Sequence, residues 1–223
     1  MTSKILCKTT TLAFALAGTA MLSGCIVAPV LMGGAAVTTA AVATDRRTTG
    51  AIVSDEVIEQ RVSYEIEQSI RNDKHHVTVT AYDGRVLLSG EVGTANLRTR
   101  IEDIARKNTD VKSVINEIEV MEPSTISTRL SDSLLATRVR TAIIGDANIS
   151  LNQMKVVTER GNVYLMGFVT AAEARTAAQK AAGVSGVQKV VKCFTLATEA
   201  EIRERMKAVE ASSTTTTSND LGQ

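Results

Sequence analysis

The sequence predicts an α+β protein built from two copies of one small domain, and three observations support this. First, an internal repeat runs through most of the chain at an offset of 77 residues, which becomes 76 before the last strand. Second, each copy contains apolar residues at helical spacing, followed by stretches with the alternation of β-strands. Third, only 3% of the residues are aromatic and none is Trp, so each core must be small and aliphatic. We therefore expect each copy to follow the order α-β-β-α-β, with two helices packed on one face of a small three-stranded sheet.

An amphipathic helix opens each copy. Its apolar residues recur every four positions, at Ile58, Val62 and Ile66 in the first copy and at Leu135, Val139 and Ile143 in the second. This spacing places them on one face, which we expect to cover the sheet. The Ser-Asp pairs at 54–55 and 131–132 are expected to cap the helix starts.

A β-hairpin follows each helix. Its turns are predicted at Tyr82-Asp83-Gly84-Arg85 and Glu159-Arg160-Gly161-Asn162, because Gly tolerates the positive φ that a tight turn requires. The flanking strands carry alternating apolar residues, such as Val77 and Val79 before the first turn.

The second helix is predicted over residues 95–108 and 171–182, and the last strand over residues 114–120 and 187–196. The two domains then span residues 52–122 and 126–197. Between them lies Met121-Glu122-Pro123-Ser124-Thr125, where Pro123 ends the preceding strand. We expect so short a linker to keep the domains in contact.

Residues 198–223 follow the second domain. Thr198-Glu199-Ala200-Glu201 is a capping box, which predicts a helix running to about Val209. Residues Ser212–Ser218 are rich in Ser and Thr and carry no charge, so we expect a disordered tail.

The N-terminus has the pattern of a secretory signal peptide. Lys4 and Lys8 precede an apolar run that ends at Leu22-Ser23-Gly24-Cys25. This ending resembles the lipobox of bacterial lipoproteins. The resemblance implies that residues 1–24 are removed and that Cys25 carries the lipid. Ile26, rather than Asp, follows the cysteine, which implies the outer membrane of a Gram-negative cell. The alternative is an ordinary signal peptide with a chance cysteine.

Residues 25–51 form a spacer behind this cysteine. The part from Ile26 to Ala43 is apolar, and one interpretation is a transmembrane helix. Pro29, Gly33-Gly34 and Thr38-Thr39 favour instead a flexible segment that lies against the membrane beside the lipid.

Two motifs carry a resemblance to BON domains. They are Gly84-Arg85-Val86-Leu87-Leu88-Ser89-Gly90 and Gly186-Val187-Gln188-Lys189-Val190, although the first copy has Asp110 in place of the glycine that opens the second motif. Two such domains behind a lipobox are similar to the dual-BON outer-membrane lipoproteins. The likeness includes Thr44-Asp45-Arg46-Arg47 and covers most of the chain, but not the last helix and tail.

This resemblance implies a non-enzymatic, lipid-anchored protein on the periplasmic face of the outer membrane. It implies that the second BON domain binds anionic phospholipid, such as phosphatidylglycerol or cardiolipin. It also implies a place at division sites and a role in outer-membrane integrity.

Charge and amphipathicity support such a role for the second copy. The whole chain has a net charge of +1. Residues 52–122, however, hold nine basic and fourteen acidic side chains, whereas residues 126–197 hold nine and four. On a helical wheel of the first helix of the second copy, one outer face carries the candidate lipid-binding residues Leu134, Thr137, Arg138, Arg140, Thr141 and Ile144.

Apolar side chains flanked by arginines suit a lipid headgroup interface. The first copy has Glu at several nearby positions, so we expect anionic lipid to repel it. A member of the dual-BON family has Trp at the position of Leu134, so lipid affinity is expected to be weaker here. The alternative is that Leu134 and Ile144 pack against the first copy, with the arginines paired to its acids.

Other chemistry is poorly supported. His75 and His76 are the only histidines, and in a strand they point to opposite faces, so they cannot chelate one metal together. No Cys or carboxylate has a spacing that completes a zinc site, and we predict no metal, cofactor or catalytic residue. An exported protein with few aromatic residues is not expected to bind nucleic acid. Cys193 lies in an apolar run and is expected to be a buried thiol.

Two functional hypotheses remain open. The first is a peripheral lipid-binding protein, tethered at Cys25. The second is a periplasmic adaptor or chaperone-like protein, which acts on partners in outer-membrane protein assembly or cell-wall remodelling.

Overall fold

The computed structural model describes residues 45–145 and 149–219, and it confirms the predicted order of elements in both repeats. The first repeat contains α1 (Thr49–Ile70), β1 (His75–Tyr82), β2 (Arg85–Val92), α2 (Ala95–Lys107) and β3 (Ser113–Val120). The second contains α3 (Ile126–Ile144), β4 (Met154–Glu159), β5 (Asn162–Val169), α4 (Ala171–Ala182) and β6 (Lys189–Leu196). A single 3₁₀ turn (Leu151–Gln153) precedes β4, and helix α5 (Glu199–Asn219) follows β6.

Each repeat forms its own three-stranded mixed sheet. β1 pairs antiparallel with β2, and β2 pairs parallel with β3, so the strand order is β1-β2-β3. The second sheet repeats this arrangement as β4-β5-β6. Helices α2 and α4 supply the crossovers that the parallel pairs require.

One face of each sheet packs against two helices, as predicted. In the first repeat Ile58, Val62 and Ile66 of α1 pack with Val86 and Leu88 of β2. In the second repeat Leu135, Val139 and Ile143 of α3 make the equivalent core. All six helix residues are at most 4% exposed, so the predicted apolar faces are the buried ones.

The opposite faces of the two sheets pack against each other. Tyr82 and Leu87 of the first sheet lie in one buried cluster with Tyr164, Met166 and Cys193 of the second. The domains therefore form one unit with helices on the outside and two sheets inside, which confirms that the linker keeps them in contact. Cys193 is 4% exposed, as predicted, and burial raises the pKa of its thiol to about 11.

The helix starts differ from the prediction. Thr48 and Thr125 are the N-caps, and their hydroxyls accept hydrogen bonds from the amides of Ala51 and Thr128. The Ser-Asp pairs lie inside the helices, because each helix begins upstream of them. The prediction that these pairs cap the helices is therefore wrong.

Asp55 and Asp132 instead hold the hairpin turns. Asp55 accepts hydrogen bonds from the backbone amides of Asp83 and Gly84, both at 2.8 Å. Asp132 accepts from Arg160 and Gly161 in the same way. Both central residues of each turn have positive φ, 54° and 74° in the first and 47° and 77° in the second, as in a type I′ turn. The buried carboxylate thus fixes the helix against its own hairpin.

The close contact between β1 and β2 explains why Gly90, the second glycine of the repeated strand motif, has no side chain. A Cβ at this position would lie 2.1 Å from the carbonyl oxygen of His76 on the paired strand. A Cβ at the equivalent position, Gly167, would lie 2.5 Å from the carbonyl oxygen of Gln153. The motif therefore has glycine at this position because two backbones approach each other closely there.

Helix α5 is longer than predicted, since it continues to Asn219 instead of ending near Val209. The expectation that residues Ser212–Ser218 lack structure is therefore wrong for the backbone. Once a helix is nucleated, each added residue gains a hydrogen bond that offsets the modest cost of Ser and Thr. Among the described residues, no helix has the length and apolar character that a membrane crossing requires. The leader, Cys25 and most of the spacer lie outside the described residues.

Candidate functional site

Helix α3 presents a continuous apolar stripe to solvent. At 100° per residue, six residues fall within a sector of roughly 80°. They are Ile126, Leu130, Leu134, Thr137, Thr141 and Ile144, and all six are exposed. The four aliphatic members are 84%, 63%, 59% and 64% exposed, and they extend over about 27 Å of helix.

The two threonine hydroxyl groups on this stripe donate hydrogen bonds to backbone carbonyls of their own helix. Thr137 donates to the carbonyl oxygen of Ser133 at 3.0 Å, and Thr141 donates to that of Thr137 at the same distance. Such bonds to the preceding turn satisfy the hydroxyl within the helix. The stripe is therefore less polar than its threonines suggest.

Two arginines border the stripe, one on each side. Arg138 donates to the carbonyl oxygen of Ser185 at 3.3 Å, and Arg140 donates to that of Val156 at 2.8 Å. Neither pairs with a carboxylate in the part of the chain that the structure describes. Their positive charges are thus held in place beside the stripe, without an acidic side chain paired to them among residues 45–145 and 149–219.

The structure brings all six sequence-predicted residues to one exposed face and adds Ile126 and Leu130. These two were missed because the helix was expected to begin near residue 131. The signal was present, since Ile126 and Leu130 continue the four-residue spacing toward Leu134 behind the capping residue Thr125.

The alternative placement of this face against the first domain is wrong. Leu134 and Ile144 are more than half exposed, and Arg138 and Arg140 bond backbone carbonyls of their own domain. Other residues pair the two domains. Lys155 lies 2.7 Å from a carboxylate oxygen of Glu59, and Arg160 lies 2.6 Å from one of Glu91.

The equivalent helix of the first repeat, α1, has a related but acidic face. Val53, Val57 and Tyr64 are 56%, 44% and 65% exposed and occupy the positions of Leu130, Leu134 and Thr141. The exposed acids Glu56, Glu65 and Glu67 lie around them. Sequence reasoning found the acids but missed the apolar residues between them.

A second group of polar residues meets where the domains join. His76 Nδ1 lies 3.2 Å from Glu91 Oε2 and 3.7 Å from Glu159 Oε2. His75, in contrast, contacts Glu67, so the two histidines do point to different groups. The sequence spacing did not reveal this group, because Glu91 and Glu159 are far from His76 in sequence but adjacent to it in space.

This group lies beside a cavity of about 470 Å³. The cavity separates β1 of the first domain from α3 and β4 of the second, and its walls include His76, Thr78, Thr137, Arg140 and Glu159. Burial raises the pKa of Glu159, and the nearby charge of Glu91 acts in the same direction. For Glu91 burial also acts to raise the pKa, but the hydrogen bonds from Arg160 and from the amide of Ser124 lower it.

The chain matches one protein family and is similar to several known proteins. The family model of the BON domain matches residues 54–122 and 131–198. The chain is 36% identical to the outer membrane lipoprotein DolP of Haemophilus influenzae over 82% of this chain and 94% of that protein. It is 32% identical to a 21 kDa hemolysin of Actinobacillus pleuropneumoniae over 66% of this chain and 77% of that protein.

A solved structure is also similar. It is CdsD, a structural protein of the type III secretion system of Chlamydia trachomatis, at 16% identity over 65% of this chain and 96% of that one. The TM-score is 0.26, so nothing is inferred from this likeness.

Proposed function

Since the chain belongs to the BON-domain family, with two BON domains, we propose that it is a lipid-anchored outer-membrane protein whose second domain binds anionic phospholipid from the periplasmic side. A relative that is named an outer membrane lipoprotein matches most of the chain, which supports the location and the anchor. The relatives bear the names of a lipoprotein and a hemolysin, which fits a binding role better than catalysis.

Cys25 is the proposed anchor. Residues 1–24 are the signal peptide, Cys25 becomes the lipidated N-terminus, and residues 25–51 form the spacer that precedes the folded domains. Each buried methylene of an acyl chain contributes about 0.8 kcal/mol, so several chains hold the protein at the membrane stably.

One observation carries the phospholipid proposal: the exposed stripe of α3 lies between two arginines that pair with no acid in the described part of the chain. Each half-exposed aliphatic side chain gains roughly 1 kcal/mol when it enters an apolar layer. Each arginine gains about 1 kcal/mol near an anionic surface. Helix α1 has apolar residues at matching positions but acidic neighbours, so we assign lipid binding to the second domain alone.

Because the lipid on Cys25 already attaches the protein to the membrane, a weak contact between α3 and phospholipid is sufficient for binding. Once Cys25 holds the chain at the membrane, docking of α3 is an intramolecular step at an effective concentration in the millimolar range. The helix then senses the local density of anionic lipid rather than supplying the attachment. Enrichment where such lipid accumulates, including division sites, and support of outer-membrane integrity are consequences that we propose on this basis.

Vesicle binding by residues 43–223 tests the proposal without the lipid anchor. This segment contains both hydrophobic cores and the sheet-to-sheet cluster. We expect binding to vesicles that contain phosphatidylglycerol, weaker binding at high salt, and none to vesicles without anionic lipid. Leu134→Glu and Arg138→Glu should each reduce the affinity at least tenfold.

The repeat supplies a matched control for this experiment. Val57 occupies the position of Leu134 in the first domain and is also exposed. Val57→Glu should leave vesicle binding unchanged. Equal effects of Val57→Glu and Leu134→Glu, or binding that ignores lipid charge, would contradict the proposal.

A second candidate function is an adaptor for envelope proteins, and the exposed face of α1 favours it. Tyr64 and Val57 form an apolar surface among acidic side chains, which suits a basic protein segment and not an anionic membrane. Partners in outer-membrane protein assembly or cell-wall remodelling fit this hypothesis. A photocrosslinker at Tyr64 should capture one protein stoichiometrically if it is correct, and one placed at Leu134 should capture lipid instead.

A further inference from the structure

The junction of the two domains contains an arrangement of side chains that the lipid proposal does not use. Glu91 lies in β2 of the first domain and Glu159 in β4 of the second, and they are 1% and 7% exposed. His76 of β1 lies between them. Its Nδ1 atom and one oxygen from each carboxylate all lie within 4.8 Å of one another.

The charges in this place do not balance. Two buried carboxylates face each other, and Arg160 is the cation that pairs with Glu91. Glu159 has no arginine or lysine partner among the described residues. His76 lies 3.7 Å from Glu159 and is a countercharge only when its imidazole is protonated. With a neutral imidazole the second buried carboxylate has no cation beside it, which is costly, so a bound cation would stabilise the group.

The second oxygen of Glu159 lacks a donor. Its Oε1 accepts a hydrogen bond from Thr78 at 2.7 Å. Its Oε2 faces His76 Nδ1 at 3.7 Å, too far for a hydrogen bond, and no described residue donates to it. A carboxylate that is more than nine-tenths buried therefore directs an unpartnered oxygen toward the histidine nitrogen.

The Oε1 atoms of Glu91 and Glu159 each accept a hydrogen bond from a side chain outside the group. Arg160 holds Glu91 Oε1 at 2.6 Å, and Thr78 holds Glu159 Oε1. The second oxygen of each acid faces His76: Glu159 Oε2 at 3.7 Å, and Glu91 Oε2 at 3.2 Å, where it also accepts a hydrogen bond from the amide of Ser124 at 3.2 Å. Ligand carboxylates of metal sites are commonly oriented in this way by a surrounding shell of donors.

The geometry points to a divalent metal site formed by His76, Glu91 and Glu159, with Zn²⁺ as the cation that fits best. Ligands about 2.0 Å from a tetrahedral zinc lie about 3.3 Å apart, and the two nitrogen–oxygen distances are 3.2 and 3.7 Å. One imidazole and two carboxylates suit zinc, whereas magnesium and calcium prefer oxygen ligands alone. The adjacent cavity gives the cation a route and gives a water molecule the fourth position.

Such a site would tie the two domains together. Two ligands belong to the first domain and one to the second, so bound zinc adds a cross-link to the contact between the sheets. Binding to the folded state alone also stabilises that state by mass action. The three proposed ligands lie outside the lipid-binding face, although Thr137 and Arg140 of that face also line the adjacent cavity.

Titration of the full chain with zinc chloride in a non-ionic detergent tests the inference. Isothermal calorimetry on the wild type should show a site for one zinc that His76→Gln and Glu159→Gln each weaken by at least tenfold. His75→Gln is the matched control, because the adjacent histidine contacts Glu67 and lies outside the group. This control should bind zinc like the wild type.

Thermal unfolding shows whether a variant fails to bind zinc because it lacks a ligand or because it is unfolded. Both variants should show the wild-type circular dichroism and a cooperative transition without metal, since glutamine at 159 still accepts from Thr78. Zinc should raise the melting temperature of the wild type and of His75→Gln, but not of His76→Gln. The inference is overturned if the wild type binds no zinc, or if binding survives either substitution in the group.

Discussion

Asp55 and Asp132 illustrate what single side chains do in this protein. Each carboxylate lies within a helix and receives two backbone amides from the tip of the following hairpin. Asp55 also pairs with Arg47 at 2.7 Å, which ties the segment before α1 to the same point. A serine-aspartate pair in a repeated sequence is easily taken for a helix cap, and only the position of the hairpin shows its actual role.

Asp132→Ala should lower the free energy of unfolding by about 2–3 kcal/mol. The substitution leaves two turn amides without their acceptor, and each unsatisfied buried group costs about 1–3 kcal/mol. Urea denaturation of residues 43–223 measures this change. Ser131→Ala is the control, because that exposed hydroxyl bonds only to the carbonyl of Ser127 in its own helix. Equal stability of the two variants would refute the anchoring role.

At the scale of elements, helices α1 and α3 are the same structure with different exposed faces. Both bury an aliphatic face against their sheets. On the outside, Leu134 and its neighbours lie between arginines, whereas Val57 and Tyr64 lie among glutamates. The duplication has therefore kept the buried face and changed the exposed one, which allows each helix to meet a different partner.

Leu134→Trp should strengthen binding to phosphatidylglycerol vesicles several-fold. An indole combines a large apolar surface with an N–H group that favours the headgroup region of a membrane. The same substitution at the matched position, Val57→Trp, should change vesicle binding little, because acids surround it. Tryptophan fluorescence reports both experiments directly, since the chain has no other Trp. A similar blue shift in both variants would argue against a lipid site confined to α3.

At the scale of the whole molecule, short segments at both ends reinforce the contact between the domains. Arg46 pairs with Glu173 of the second domain at 2.7 Å, and Arg47 lies over the ring of Tyr82 in the first. Arg205 of α5 donates to the carbonyl oxygen of Arg46 and lies over the ring of Phe168. The segment behind the lipid anchor and the last helix thus hold the two domains as one body.

Acid should weaken this junction. Burial acts to raise the pKa of Glu173, but hydrogen bonds from Arg46 and the amide of Thr170 lower it overall, and the pKa of Glu91 is also lowered. A carboxylate with a depressed folded-state pKa contributes stability above its unfolded pKa, about 4.3 for Glu. That stability is lost as the pH falls through the folded-state value.

We therefore expect the urea midpoint of residues 43–223 to drop steeply between about pH 5 and pH 3, near the unfolded pKa of Glu and below it. The raised pKa of Glu159 has the opposite sign, because its protonation relieves an unfavourable buried charge. Glu173 and Glu91 both act against this single opposing group. Glu173→Gln should flatten the pH dependence, and a midpoint that does not change with pH would contradict this account.

Much of the architecture follows from the sequence by itself. The repeat, the apolar spacing of Ile58, Val62 and Ile66, and the glycine turns are local patterns, and local patterns determine secondary structure and the buried face of each element. The same reasoning identified six exposed residues of α3, because burial of one helix face leaves the other outside. The helix starts were missed because the Ser-Asp pairs resemble helix caps, although Thr48 and Thr125 are also related by the offset of 77 residues.

Only the tertiary structure decided how the two domains meet. Packing one sheet on the other is a choice between two apolar faces of similar composition, and no spacing within a strand specifies it. That packing brought Glu159 of the second domain to His76 and Glu91 of the first, although about one repeat length of sequence separates them. Contacts between residues so distant in sequence depend on the relative placement of whole sheets, so the junction group and its charge balance are properties of the assembled molecule.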